Sequence, residues 1–460
     1  MLREIVGAVT TPGETPRRLS KVLEDGIAIT YRAGLQVIAQ RKHFTAMPSE
    51  PRQEAPTHRE TFKRILFATQ FYPPDSSTTA TYLGKIADAF ADDAEVVVLS
   101  ATKHSASPAN GVRANPFVIE LNSLQAGKHA VIWRALAVVA LAASMFYSVL
   151  RKARKDDLVF CVTTPFTLPY AVVLAAKLRG AATALLIYDL YPEALEAAGF
   201  ISSKSPLNKL LRLLNGIMFR ALDSIVVVGR DVPPLLTKYR SVGPEKIHFI
   251  PNWTFLPIGY RDLAPTNPFR PRDSAHLVVG LSGNLGFTHD PGTVFEAARM
   301  LRSEAGIHFL LSGWGVGWKQ LRDLQATEKL PNVTLLDPVP AEHLIDFLSA
   351  ADVWTIPYRR NMAGVSIPSR LYNLLAVGRA VITGTDDRSE AAIEVLGEKI
   401  GWVVPPEDPA RLAEAIRAAA ADLSEVARMG QLAAVAAQKF TEEAALARYR
   451  DVVVQIRAKS

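Results

Sequence analysis

Residues 364–384 read GVSIPSRLYNLLAVGRAVITG, and their pattern decides the architecture of the chain's second half. They run as loop, helix, glycine stop and buried strand. Pro368 suits the first turn of a helix, and Gly378 suits the position just past its end. Leu371, Leu374 and Leu375 give a helical apolar face, and residues 380–383 form a short apolar strand. Arg370 then falls in the first turn, where the helix dipole disfavours positive charge. A cation there makes sense if an anion is shared between it and the free backbone N–H groups, which points to a phosphate site.

The same alternation of strand and helix extends in both directions. Upstream of the motif, strands are expected at 277–281, 307–311, 333–336 and 353–357, with helices at 292–302, 318–327 and 341–349 between them. Downstream lie Ala-rich amphipathic helices at 409–421 and 424–440, and a last helix at 444–456. The first half repeats the plan, with strands at 65–69, 95–99, 158–162, 183–188, 224–228 and 246–250. Its helices are expected at 79–90, 168–178 and 206–220, with a short one after Asp231. Continuous β-branched runs between helices mean parallel sheets covered on both faces, so each half reads as a doubly wound α/β domain. A chain of 460 residues exceeds what one hydrophobic core supports, in agreement with two domains. Residues 251–273, with five prolines and no periodicity, read as the interdomain connection. Residues 1–63 are a weakly patterned extension ending in a polar, proline-containing linker.

Charge is unevenly shared. Residues 1–250 hold 30 Lys/Arg against 21 Asp/Glu, whereas residues 251–460 hold 22 against 24. The net charge of +7 therefore belongs to the first half. A nucleic acid or an anionic membrane would each answer such a surface. Residues 135–150, ALAVVALAASMFYSVL, lie uncharged inside the most basic stretch and end at Arg151, Lys152, Arg154 and Lys155. Sixteen residues are short for a spanning helix. The segment reads either as an interfacial anchor or as a helix packed on a sheet. The single Cys161 excludes an intrachain disulfide and a cysteine zinc site, and its apolar surroundings make it a buried hydrophobe.

Ligands of doubly wound sheets lie beyond the carboxyl ends of the strands. The first strand there leads into Asp75, Ser76, Ser77, Thr78 and Thr79, a narrow hydroxyl-rich loop open to a substrate or simply capping the next helix. In the second half, Gly283, Asn284 and Gly286 follow one strand, and Gly313 and Gly315 follow another. Glycine-rich turns let backbone amides approach phosphate, although GxGxG alone lacks the rest of a dinucleotide fingerprint. No Walker motif and no zinc or EF-hand spacing occurs.

Taken in order, FYPPDSSTTA, DLYPEAL at 189–195, HFIPNW at 248–253, SGNLG, LLSGWGVG, DPVPAEHLIDFLSAADVWTIPY, the 364–384 motif and GWVVPPEDPARLAEAI resemble a GT-B glycosyltransferase of family 4, of the bacterial O-antigen, colanic-acid and exopolysaccharide type. The resemblance covers residues 64–456. It implies two facing Rossmann-like domains, 64–250 for the acceptor and 274–440 for the nucleotide-sugar, with residues 441–460 crossing back to the first. It implies transfer of a hexose-type sugar from a UDP- or GDP-sugar, with retention and with no metal or other cofactor. The acceptor would be a lipid-linked saccharide, met by a peripheral enzyme on the cytoplasmic face of the inner membrane, next to other polysaccharide-assembly proteins.

One departure from the family pattern stands out. Two glutamates eight positions apart are usual in the second half, and Val365 and Asn373 occupy those positions here. Asn373 offers an amide to a ribose hydroxyl. Val365 offers no side-chain contact, which shifts sugar binding to the backbone amides of Gly364, Val365 and Ser366. The diphosphate then rests on Arg370, with Ser369 and Asn284 beside it. Asp189 and Glu193 are the acceptor-side carboxylates, in catalytic roles or as helix-start charges. His289 either reaches the phosphates or is a solvated surface residue. A sugar-nucleotide epimerase and a non-catalytic assembly partner of the same fold remain as alternatives, while nucleic-acid binding is disfavoured by the neutral second half and the missing recognition motif.

Overall fold

The structure, a computed structural model, describes residues 61–103, 114–121, 131–263, 266–271 and 276–460. These fall within one compact unit, Glu60–Ser460. The extension expected over residues 1–63 lies outside the described residues but for its last three.

The first sheet has seven parallel strands: β1 (Arg64–Thr69), β2 (Glu95–Ser100), β3 (Phe117–Glu120), β4 (Leu158–Val162), β5 (Ala182–Ile187), β6 (Ser224–Val227) and β7 (Ile247–Phe249). Their order is β3-β2-β1-β4-β5-β6-β7. The first six helices accompany them: α1 (Thr78–Ala91), α2 (Val131–Lys152), α3 (Leu168–Leu178), α4 (Glu193–Ala197), α5 (Pro206–Ala221) and α6 (Pro233–Leu236). Strands β1, β4 and β5 are buried along their whole length, as continuous apolar runs require. Phe67 stacks on Phe160 with ring centroids 5.3 Å apart, joining β1 to β4 at the centre of the core.

The second sheet has six parallel strands in the order β10-β9-β8-β11-β12-β13. They are β8 (Leu277–Asn284), β9 (Ile307–Trp314), β10 (Val333–Leu336), β11 (Val353–Pro357), β12 (Ala380–Gly384) and β13 (Gly401–Val404). Seven helices go with them: α7 (Pro291–Met300), α8 (Val316–Glu328), α9 (Leu344–Ser349), α10 (Arg370–Ala376), α11 (Glu390–Gly397), α12 (Pro409–Ala421) and α13 (Leu423–Ala437). Both sheets reverse their strand order once, between β1 and β4 and between β8 and β11. Such switch points open a crevice at the carboxyl ends of the strands. The last helix, α14 (Glu442–Lys459), inserts Tyr449, Val452, Val453 and Ile456 into the core of the first sheet. The connecting segment instead follows the second domain, with Leu256, Ile258 and Phe269 against its core.

Strand β3 and the elements α4, α11 and β13 were not legible from periodicity. Strand β3 is a half-exposed edge of four residues, too short to show alternation. Helix α4 spans five residues behind Pro192. Strands β8 and β9 also run past the expected ends at 281 and 311, through Asn284 and Trp314. Gly283 and Gly313 are paired neighbours in that extension, where a Cβ on Gly313 would stand 2.5 Å from the Gly283 carbonyl oxygen. Glycine thus lengthens the pairing instead of breaking it.

The apolar segment at 135–150 lies within α2, which packs Leu141, Met145 and Val149 into the core and leaves Leu136, Val139 and Tyr147 exposed. Among the described residues no helix is long and apolar enough to cross a membrane.

Candidate active site

Helix α10 begins at Arg370 and ends in a Schellman arrangement. Gly378 takes φ +69° and donates to the Leu375 carbonyl, while Arg379 donates to that of Leu374. The buried leucines of α10 face the core, and Arg370 turns the other way, towards the end of β8. Its guanidinium donates through Nη1 to the Ser282 carbonyl and through Nη2 to that of Asn284. Gly283 lies between them at φ +100°, and a Cβ there would sit 3.4 Å from the Arg370 Cζ. Glycine at this position both permits the backbone conformation and leaves room for the guanidinium.

His289 Nε2 lies 3.2 Å from Arg370 Nη2, and its Nδ1 lies 3.1 Å from the Thr288 hydroxyl. The ring is buried and stacks on Tyr358 at 4.7 Å. Burial first, and Arg370 second, hold its pKa well below that of a free imidazole. His289 is thus a neutral buried acceptor with its Nδ1–H towards Thr288, which corrects the solvated surface alternative. Burial also pulls the Arg370 guanidinium down to about 10, with Tyr358 opposing. Among the described residues no carboxylate pairs with Arg370. An unneutralised, half-buried cation is costly to keep and calls for an anion to complete it.

The loop after β11 reaches across to the first domain. Asp189 and Ser366 form an isolated antiparallel bridge, and Leu190 donates to the Val365 carbonyl at 3.2 Å. Burial raises the Asp189 pKa from its ordinary value, with the neighbouring Ser366 hydroxyl opposing. Candidate acceptor and donor residues are thereby in contact.

Several candidates are engaged elsewhere. The Gly364 amide donates to Asp231 at 2.7 Å, and the Val365 and Ser366 amides both donate to the Met362 carbonyl. Val365 itself is buried in the core. All three amides are spoken for, which corrects the reading that they replace the missing glutamate at the sugar. Asn373 faces the connecting segment, where its Oδ1 accepts from Thr254 at 3.2 Å. Ser369 precedes α10 without capping it. Glu193 is buried, 2.8 Å from Arg212, and accepts from Tyr239 at 3.1 Å, which makes it an anchor of α4 and not a free carboxylate. Asp75 accepts from the Ser77 amide, Ser77 caps α1, and Ser76 and Thr78 are exposed with Thr79 half-buried, so this loop shows the plain capping arrangement. The turns carrying Gly286, Gly313 and Gly315 are stitched together: Leu285 donates to Trp314, and Gly317 donates to Leu285.

Tyr358 and Asp231 belong to the site but carried no sequence signal beyond their place after β11 and β6. Asp231 accepts from the amides of Gly364 and Glu390, and Arg230 pairs with Glu390 and Glu394. These bonds tie the first domain to α11. Among the described residues no group of three or more His, Cys, Asp or Glu could hold a metal ion.

Two doubly wound domains whose strand ends meet across a crevice, with a cation at the switch point of the second, define the GT-B class. Residues 77–253 match the model of the glycosyl transferase 4-like domain, and residues 277–422 match that of glycosyl transferases group 1. The chain belongs to the GT-B glycosyltransferases of this family 4-like group and is a glycosyltransferase. It is 25% identical over 296 residues to WbjE of Pseudomonas aeruginosa, named as a glycosyltransferase, covering 64% of this chain and 73% of that protein. It is 29% identical over 260 residues to WcaI of Escherichia coli (strain K12), named for colanic acid biosynthesis, covering 54% of this chain and 63% of WcaI. Anabaena HepE in complex with UDP shares the fold at TM-score 0.58 and 14% identity, covering 84% of this chain and 98% of HepE.

Proposed function

We propose that this enzyme transfers a hexose from a UDP- or GDP-sugar to a lipid-linked saccharide at a membrane surface, in the synthesis of a bacterial surface polysaccharide. The observation that carries the reading is Arg370, a half-buried guanidinium without a carboxylate partner among the described residues, at the switch point of the second sheet. In its proposed role it neutralises charge growing on the departing nucleoside diphosphate, a preorganised contact strongest in the transition state. Transfer breaks the bond between the anomeric carbon and the diphosphate and forms one to an acceptor hydroxyl, with retention, and the hydroxyl proton leaves with the diphosphate. This division of labour asks for no metal. Asp189, facing Ser366 from the first domain, orients the acceptor. The kinship to WcaI, named for colanic acid biosynthesis, and the fold shared with HepE, solved with UDP, support the polymer class and the donor class.

The test is a panel of UDP-, GDP- and other nucleotide-sugars, with release of nucleoside diphosphate measured with and without a membrane lipid extract. Release from one donor, increased by the extract, is expected. Release that ignores every acceptor, with the donor sugar merely isomerised, would favour an epimerase.

A further inference from the structure

Helix α5 is apolar on two faces. Its inward face buries Leu211, Met218 and Phe219 together with Asn208 and Asn215, whereas Leu207, Leu210, Leu213, Leu214 and Ile217 are exposed. These five fall at i, i+3, i+6, i+7 and i+10, a single stripe along the helix. Leu213 and Ile217 remain 62% and 60% exposed. A surface helix that serves only its own domain turns such a stripe inward. The inward asparagines are hydrogen-bonded to their own domain. Asn215 donates to the Tyr191 carbonyl at 2.6 Å and accepts from Tyr170 at 2.6 Å, and Asn208 donates to Glu196 at 3.0 Å. The neighbouring helix α3 extends the apolar surface with Leu174 and Leu178.

Charge identifies the occupant. Residues 197–222 contain no Asp or Glu, while Lys204, Lys209 and Arg220 line the margins of the stripe. Arg220, Lys238 and Arg240 surround an open cavity of about 620 Å³ whose apolar wall is Leu213 and Ile217. Cations beside a branched aliphatic stripe match an anionic lipid surface, with acyl chains against the leucines and phosphates in the cavity. A second copy of this chain would set the same cations against one another.

We infer that α5 seats the protein on an anionic phospholipid bilayer. The inference rests on the membrane reading above and names the surface that serves it. It also ties the membrane to the cleft. Arg212 of α5 holds Glu193 and Glu196 of α4 at 2.8 Å each, and α4 directly follows the Asp189 loop. Beyond α4, Phe200 packs edge-on against Phe287 of the second domain at 6.0 Å. A lipid-linked acceptor would thus approach along the bilayer to the first-domain side of the crevice.

The full chain is to be sedimented with vesicles of phosphatidylcholine alone and with phosphatidylglycerol added. Variants are Leu210→Ser with Leu213→Ser, and Arg220→Gln with Arg240→Gln. Binding to the anionic vesicles is expected to fall at least roughly tenfold in the serine variant, since each leucine contributes its transfer from water. It is expected to fall severalfold in the glutamine variant. Circular dichroism and nucleoside-diphosphate binding should stay unchanged in both. Wild-type protein that ignores anionic vesicles would overturn both this inference and the membrane reading. Vesicle binding unaffected by either variant would overturn this inference alone. So would a concentration-dependent dimer, seen by light scattering, that the serine variant abolishes.

Discussion

At the residue scale, the donor end of the site is a balance between a cation and its burial. Arg370 hangs on two carbonyls and a neutral imidazole, none of which cancels its charge. His289 refuses a proton in the folded state, so below its ordinary pKa the unfolded chain binds one that the folded chain does not. Stability must therefore fall as pH drops below about 6.5. In His289→Gln that contribution is missing. Thermal melts at pH 7.5 and 5.5 should show the wild type losing more than the variant, and equal losses would refute the buried neutral ring. Gly283→Ala introduces a side chain at φ +100° against the guanidinium, at a cost of about 1–3 kcal/mol. A drop in melting temperature together with weakened nucleotide binding is expected. Arg370 was legible in the sequence because a cation at a helix start breaks a local rule. Tyr358, Asp231 and the fate of the Gly364–Ser366 amides were not, because each depends on a partner far away in the chain.

At the element scale, helix α10 joins the chemistry to the fold in seven residues. Its stop depends on Gly378, where a Cβ would meet the Tyr260 Cα at 2.8 Å. Gly378→Ala is expected to destabilise by about 1–3 kcal/mol, read as a shifted denaturant midpoint with unchanged slope. The sequence announced this stop, since Gly after an apolar helical face and before a buried run has few other readings. The buried strands were equally plain from their unbroken β-branched runs. Elements of four or five residues, such as β3, α4 and β13, carry too little pattern to separate from loop. The strand ends were misplaced for a different reason: paired glycines look like turns in one dimension and permit close backbone approach in three.

At the scale of the whole molecule, specific bonds couple the two sheets. Asp231 receives two amides from the second domain, and Arg230 pairs with Glu390 and Glu394 on α11. Arg230→Gln removes the cation and leaves Glu390 fully buried without its counterion. A larger radius of gyration in small-angle scattering and a split thermal transition are expected, whereas an unchanged radius would place the coupling elsewhere. The two-domain plan was readable from the doubled alternation, but its coupling through Arg230 and Asp231 was not, since sequence spacing says nothing about contacts 160 residues apart. The central claim is that the crevice binds a nucleoside diphosphate through Arg370. Its most direct test is calorimetric titration of UDP and GDP into the wild type and Arg370→Ala, with circular dichroism confirming an intact fold. Saturable binding of one of them to the wild type is expected, weakened on the order of a hundredfold in the variant. Equal affinity in a folded variant would contradict it.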